Sequence, residues 1–251
     1  MRALACLVFI ALAYATQGNP YLHKDAPVGK FPYQVSLKYR GKYYGCSGSI
    51  LNNRNILTTA RCVVRLENEL DKLKAHVGTN FLNELGDVYD IESVSIHEDY
   101  DTIRLYDNDI ALVHLKTPIK YNKLVQPINF MTSNENLFSK PCTLSGWKTK
   151  PDHTDTPFNN LAEVKFIIYT LGSCGGARYL GVICGLTTDE EGWFYFDSGS
   201  PLVANGTQIG LLSFNFEMRG PHLKGFAGVS NFTVWINAHL KNLGSSHCRW
   251  D

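Results

Sequence analysis

The chain reads as an all-β protein, a barrel or a sandwich, and three observations predict it. Short β-rich segments recur along its 251 residues. Clusters of Gly, Asn, Asp and Pro bound them at regular spacing, as turns between short strands require. Polar and apolar residues alternate over residues 34–38, the period of a half-buried strand.

In chain order, Met1-Arg2 leads into an apolar run from Ala3 to Ala15. This has the form of a signal peptide over residues 1–18, with Ala13-Tyr14-Ala15 as a small-x-small cleavage site and Gly18 as a second. The run is too short to span a membrane, and no later stretch approaches that length. The remaining domain, 19–251, contains the strand at 34–38 and further β segments at 74–77, 87–95, 110–115, 142–146, 162–169 and 208–214. The last element, 234–240, has apolar residues at helical spacing. There are no repeats, linkers or low-complexity stretches. An apolar content of 44% suffices for a sizeable core in one structural unit.

Net charge is +1, with no basic block and no aromatic-basic interleaving. Nucleic acid is therefore not an expected partner, and charge gives no strong attraction to a membrane. No cofactor and no metal is expected. Two tripeptides, Asn205-Gly206-Thr207 and Asn231-Phe232-Thr233, have the form of N-glycosylation acceptors, Asn231 at the edge of the expected helix. Of seven cysteines, Cys6 leaves with the signal peptide. Cys46, Cys62, Cys142, Cys174, Cys184 and Cys248 remain, in a compartment that permits disulfides. Their connectivity does not follow from sequence.

Two stretches carry chemistry. Phe196-Asp197-Ser198-Gly199-Ser200-Pro201-Leu202-Val203 resembles the nucleophile loop of the trypsin/chymotrypsin-like serine proteases, Gly-Asp-Ser-Gly-Gly-Pro. Phe196 and Ser200 stand where the family has glycine. Ile56-Leu57-Thr58-Thr59-Ala60-Arg61-Cys62-Val63 resembles the family's Leu-Thr-Ala-Ala-His-Cys, with Arg61 in place of the histidine. A third stretch, Asp25 to Leu37, resembles the start of the mature domain in insect, particularly hymenopteran, chymotrypsin-like enzymes. The resemblance covers essentially everything after residue 19. It implies two six-stranded antiparallel β-barrels, a C-terminal helix and a site between the barrels.

The resemblance also implies roles. Ser198 takes the nucleophile's position and Asp109, in Asp107-Asn108-Asp109-Ile110-Ala111-Leu112, that of the triad aspartate. A guanidinium stays protonated and has no lone pair, so Arg61 cannot be the base. Loss of the base alone costs about a million-fold in turnover in related enzymes. His23, His76, His97, His114, His153, His222, His239 and His247 lie in no matching stretch and read as ordinary histidines. Arg61 is expected to turn onto Asp109 instead. Phe196 replaces a glycine whose N–H helps form the oxyanion hole, so its backbone is expected to be strained or to re-aim that donor. In the pocket, Ser213-Phe214-Asn215 matches Ser-Trp-Gly, and Asn215 adds a side chain. Gly192 sits where trypsins hold Asp, beside bulky Trp193 and Phe194. Lys224 falls where a small residue lines the pocket.

Among the cysteines, Cys46–Cys62 and Cys174–Cys184 match two family bridges. Phe194 stands in place of the first cysteine of the pocket bridge. Ala204 stands where the mate of Cys142 would be, which leaves Cys142 to pair with Cys248, to stay free, or to bridge between molecules. The family's activation places a new terminal amine beside the aspartate at Asp197. The residues aligned with that terminus, Asn19 then Pro20-Tyr21-Leu22-His23, lack the basic cleavage site and the glycine hinge. Lys148 is the expected substitute, or a terminus at Asn19. The reading is a secreted, monomeric, catalytically inactive homologue that binds a protein partner: a decoy, a protease cofactor, or a venom, salivary or immune component. An active endopeptidase or esterase with an unusual base, and a surface-recognition protein of innate immunity, are the alternatives.

Overall fold

The computed structural model describes residues 25–103, 107–133, 137–149, 156–174, 177–187, 195–215 and 223–240. The signal-peptide region and residue 19, Gly192, Trp193, Phe194 and Cys248 lie outside them, as does the side chain of Asn215.

The first six strands are β1 (Gln34–Tyr39), β2 (Lys42–Asn52), β3 (Asn55–Thr58), β4 (Leu73–Val77), β5 (Asp87–Ile96) and β6 (Ala111–Leu115). They close into an antiparallel barrel in the order β1-β2-β3-β6-β5-β4, with β4 returning to β1. Next come β7 (Asn129–Phe130), β8 (Pro141–Gly146), β9 (Lys148–Thr149), β10 (Ala162–Cys174) and β11 (Ala177–Leu186). The last strands are β12 (Tyr195–Phe196), β13 (Pro201–Ala204), β14 (Thr207–Asn215) and β15 (Leu223–Gly228), followed by helix α1 (Thr233–His239). The second barrel runs β13-β8-β10-β11-β15-β14 and closes through the β13–β14 pairing; β7 adds to β14 in parallel. Closure removes exposed strand edges from both halves. Barrels, not a sandwich, are what the alternating segments build. No helix among the described residues is long and apolar enough to cross a membrane.

Each barrel has its own apolar filling. Val35, Leu37, Ile50, Ile56 and Val113 fill the first. Leu144, Phe166, Ile183, Leu202 and Phe226 fill the second. A third cluster joins them: Leu57, Ile110, Leu112 and Leu211 meet Trp235 and Ile236 of α1. This seam aligns the ends of β3, β6 and β14, from which the site is built.

One strand departs from expectation. β1 alternates in sequence as a half-buried strand, yet Gln34, Ser36 and Lys38 are buried too. The polar face is covered by partners rather than water. Gln34 Oε1 accepts from Ser145 Oγ of the second barrel at 2.8 Å. Lys38 Nζ donates to the carbonyls of Leu82 and Glu84 at 2.8 and 3.2 Å. The barrel–barrel contact thus uses a face that its polarity marks for solvent.

Candidate active site

Arg61 lies in a 3-10 turn, Ala60–Cys62, that caps β3. The turn is pinned by the Cys46–Cys62 disulfide to β2. Asp109 sits just before β6, fully buried, after Asn108 at φ +53°. Both residues therefore come from the seam side of the first barrel. The Asp109 carboxylate accepts from the Arg61 backbone N–H at 3.0 Å and from Arg61 Nε at 2.8 Å. Ser213 Oγ, from β14, donates to the same carboxylate at 2.6 Å. Arg61 Nη2 donates to Ser213 Oγ at 3.1 Å. Burial pushes the Asp109 carboxyl up, and the Arg61 guanidinium and the Ser213 hydroxyl oppose that. The contact expected between Arg61 and Asp109 is thus present, and Ser213 completes a closed triangle.

The triangle does not include Ser198. The Ser198 hydroxyl, half-buried, makes no hydrogen bond with it. Nor is a histidine part of the triangle among the described residues. His76 bonds to the Leu85 carbonyl, and His114 lies between Asn55 and Ser95. His97 packs on Phe232 and Trp235, and His239 stacks on Trp235. His23, His153, His222 and His247 lie outside the described residues.

The loop bearing Ser198 runs from β12 to β13. Ser198 N–H donates to the Gly45 carbonyl of β2 at 3.2 Å, and Ser47 N–H donates to the Ser198 carbonyl at 2.9 Å. Gly199 follows at φ +83°, and a Cβ there would lie 2.2 Å from the Ser47 carbonyl. Only glycine fits both the backbone and the space. Phe196, by contrast, is not strained. It is an ordinary strand residue of β12, paired with Lys148 of β9, and its buried ring joins the core of the second barrel. Sequence reasoning missed the stronger interference: the N–H of Ser198 itself is already bonded to Gly45.

Asp197 also departs from expectation. Its carboxyl accepts from Ser47 Oγ at 2.8 Å and from the Trp147 backbone N–H at 2.9 Å. The Tyr43 hydroxyl lies beside it, buried, without a well-formed hydrogen bond of its own. Lys148 does not substitute for an amine here. It is buried, its Nζ sits 5.8 Å over the Phe158 ring, and it is not among the groups acting on Asp197. The strand pairing of Lys148 with Phe196 explains the miss: adjacency in the ladder does not aim a side chain at the following residue. Among the described residues only neutral donors reach it, and burial pushes the Asp197 carboxyl up to about 7.

Around the pocket positions, Lys224 of β15 pairs with Gly185 and Asn215 in the ladder and is buried. Its Nζ lies 5.9 Å over the Tyr195 ring, and burial lowers its ammonium to about 8. Phe214 is buried beside it in the same barrel. The second bridge, Cys174–Cys184, joins β10 to β11. Cys142 is a free, buried thiol that donates to the Phe166 carbonyl at 3.4 Å, while Cys248 lies outside the described residues. Burial pushes that thiol up to about 12. Of the two glycosylation tripeptides, Asn205 stands at an exposed two-residue turn between β13 and β14, at φ +48°. Asn231 is exposed too, in the 3-10 turn Val229–Phe232 that leads into α1.

With the fold and the Asp–Arg–Ser geometry in view, comparison with known proteins assigns the family. The model of the trypsin family matches residues 22–236. The chain belongs to the trypsin family. Chymotrypsin-2 of the hornet Vespa crabro is 37% identical over 216 residues, covering 84% of this chain and 95% of that protein. Trypsin, alkaline B of Manduca sexta is 29% identical over 253 residues, covering 93% and 96%. Among solved structures, mouse neuropsin, a serine protease, matches with a TM-score of 0.74 at 20% identity, covering 86% of this chain and 98% of its own. The scabies mite inactivated protease paralogue S-D1 matches with a TM-score of 0.75 at 23% identity, covering 86% and 94%. At such identities the structural likeness speaks for the fold alone. The hornet match agrees with the insect character of the amino-terminal stretch.

Proposed function

We propose that this member of the trypsin family is secreted and catalytically inactive, and acts by binding another protein through its surface. The observation that carries the reading is the Asp109–Arg61–Ser213 triangle. Proton removal from Ser198 needs a neutral base at the position Arg61 occupies. Arg61 offers only N–H donors, and it directs them to Asp109 and Ser213. A second element supports it: one donor that would stabilise an oxyanion, the Ser198 N–H, is engaged by Gly45. Secretion is supported by the amino-terminal apolar run and by two disulfides, which belong to oxidising compartments.

A fluorophosphonate probe tests inactivity. It phosphonylates a serine whose proton can be removed, the P–F bond breaking as the P–O bond forms, so Ser198 is expected to remain unlabelled over hours while a chymotrypsin control labels in minutes. Labelling of Ser198 at the control's rate overturns the reading. Capture on immobilised protein from the source fluid, compared with a surface-blocked control, then identifies the partner.

A further inference from the structure

We infer that Asn205 carries an N-linked oligosaccharide and that Asn231 does not. Both begin an Asn-x-Thr tripeptide, Asn205-Gly206-Thr207 and Asn231-Phe232-Thr233. Such a tripeptide is the acceptor for this glycan in an exported chain, so the inference rests on the secretion proposed above. Asn205 and Gly206 form the turn between β13 and β14, both exposed, at φ +48° and +74°. Left-handed backbone at both positions is what a tight hairpin turn requires, and Asn-Gly is a favoured pair for it. Turn geometry therefore accounts for Asn205 and Gly206. It does not account for Thr207, which is already a strand residue, paired across the hairpin with Ala204. Valine would serve that ladder position as well. A Cβ at Gly206 would meet nothing within 4 Å, so the space over the turn is open to a bulky group.

The second tripeptide is engaged by the fold. A Cβ at Gly228 would lie 2.8 Å from Asn231 Nδ2, so that amide is laid against the Gly228 backbone. Phe232 is buried, and a Cβ at Gly181 would lie 2.4 Å from the end of its ring. Thr233 Oγ1 donates to the Ser230 carbonyl at 3.0 Å. A sugar on Asn231 Nδ2 has to lift the amide off Gly228 while Phe232 holds the backbone in place. At Asn205 no such displacement is needed. The transfer joins Asn205 Nδ2 to the anomeric carbon of an oligosaccharide carried on a lipid diphosphate. The C–N bond forms as the bond from that carbon to the phosphate oxygen breaks. The lipid diphosphate leaves with the bonding pair, and the amide gives up one proton. The turn lies at the end of β13 remote from Ser198, and about 20 Å along β14 from Ser213. The glycan therefore leaves the Ser198–Ser213 end of the hairpin open and denies a protein partner the β13–β14 turn.

The test is expression of the full chain in insect cells. The protein from the medium is cut into peptides, treated with peptide N-glycosidase A in heavy-oxygen water and read by mass spectrometry. The enzyme turns a glycosylated asparagine into an aspartate that carries the heavy oxygen. Spontaneous loss of ammonia at Asn205-Gly206 before treatment leaves ordinary oxygen, so the two are told apart. Heavy aspartate at position 205 and unaltered Asn231 are expected. Heavy label at position 231, or none at position 205, overturns the inference. Thr207→Val keeps the Asn-Gly turn and should lose the mass of one glycan from the intact protein, whereas Thr207→Ser keeps the hydroxyl and should retain it. An unchanged mass in Thr207→Val, beyond the substitution itself, also overturns it. A chain found in the medium with Asn205 bare overturns the glycan alone. A chain kept in the cytosol, with residues 1–18 uncleaved and both asparagines bare, overturns secretion as well.

Discussion

Two buried carboxylates frame this site, and they are neutralised in opposite ways. Asp109 faces a guanidinium from its own barrel, with a backbone N–H and a hydroxyl completing the shell. Asp197 has a hydroxyl, a phenol and a backbone N–H, and no cation among the described residues acting on it. The first is held in an ion pair by the Arg61 guanidinium, against the burial that pushes its carboxyl up. The second is a group poised to change charge near neutrality, since burial pushes it up to about 7. The comparison teaches that Arg61 leaves no orphaned charge at Asp109: its guanidinium and backbone N–H, with Ser213, satisfy the buried carboxylate. Among the described residues, the carboxyl without a cation beside it is on the loop side of the site.

The largest expected effect breaks the satisfied pair. Arg61→Ala leaves Asp109 buried and unpaired, at a cost of about 3–5 kcal/mol in urea unfolding at pH 7. A loss below about 1 kcal/mol would mean that Ser213 and the backbone suffice for Asp109. Next comes the opposite manipulation at Asp197. Its ordinary value is 3.8 and its folded value about 7. Between these values the unfolded chain is ionised and the folded chain is not, so the folded state binds more protons. Stability therefore falls as pH rises from about 4 to about 7 and stays lowered above. Asp197→Asn removes that cost, so it should stabilise by about 2–4 kcal/mol at pH 8 and by little at pH 4. Equal effects at both pH values would contradict the difference between the two carboxylates.

A smaller effect is expected from repairing one side alone. Arg61→His returns an imidazole beside Asp109, yet the Ser198 N–H remains on Gly45. Lack of one oxyanion donor typically costs ~100 to 1,000-fold. Hydrolysis of a peptide anilide should stay barely above background, and turnover near ordinary chymotrypsin rates would show that the two sides of the site are not independent. Adding Phe196→Gly is not a clean rescue, because the ring it removes fills the second barrel's core and its loss costs about 3–5 kcal/mol. The smallest expected signal is at Cys142. A free thiol pushed up to about 12 by burial should not react with a thiol-specific disulfide reagent in the native protein at pH 8, and should react once unfolded. Native-state labelling of Cys142 would place it outside the core.

Much of this was legible along the chain. The strand segments, the terminal helix and the residues at the site came from short-range patterns and from stretches resembling a known family. Several strands were less legible. β15 reads Leu-Lys-Gly-Phe-Ala-Gly and carries glycine where the Phe214 ring crosses it, so that a Cβ at Gly225 would lie 2.3 Å from that ring. A strand chosen for close approach lacks the β-branched residues that announce strands. Likewise, the polar face of β1 looks solvated until Ser145 and the 82–84 carbonyls are brought to it.

The sequence by itself determined that Arg61 is no base. A guanidinium cannot accept a proton wherever the fold puts it, because that is a property of the side chain. Only the tertiary structure decided what surrounds Arg61 and Asp197. Ser47 and Asp197 lie 150 positions apart, and Arg61 and Ser213 lie 152 apart. Whether a buried carboxylate meets a cation or only neutral donors depends on which distant strands the two barrels bring together, and burial, which raises the cost of the charge, exists only once they have closed.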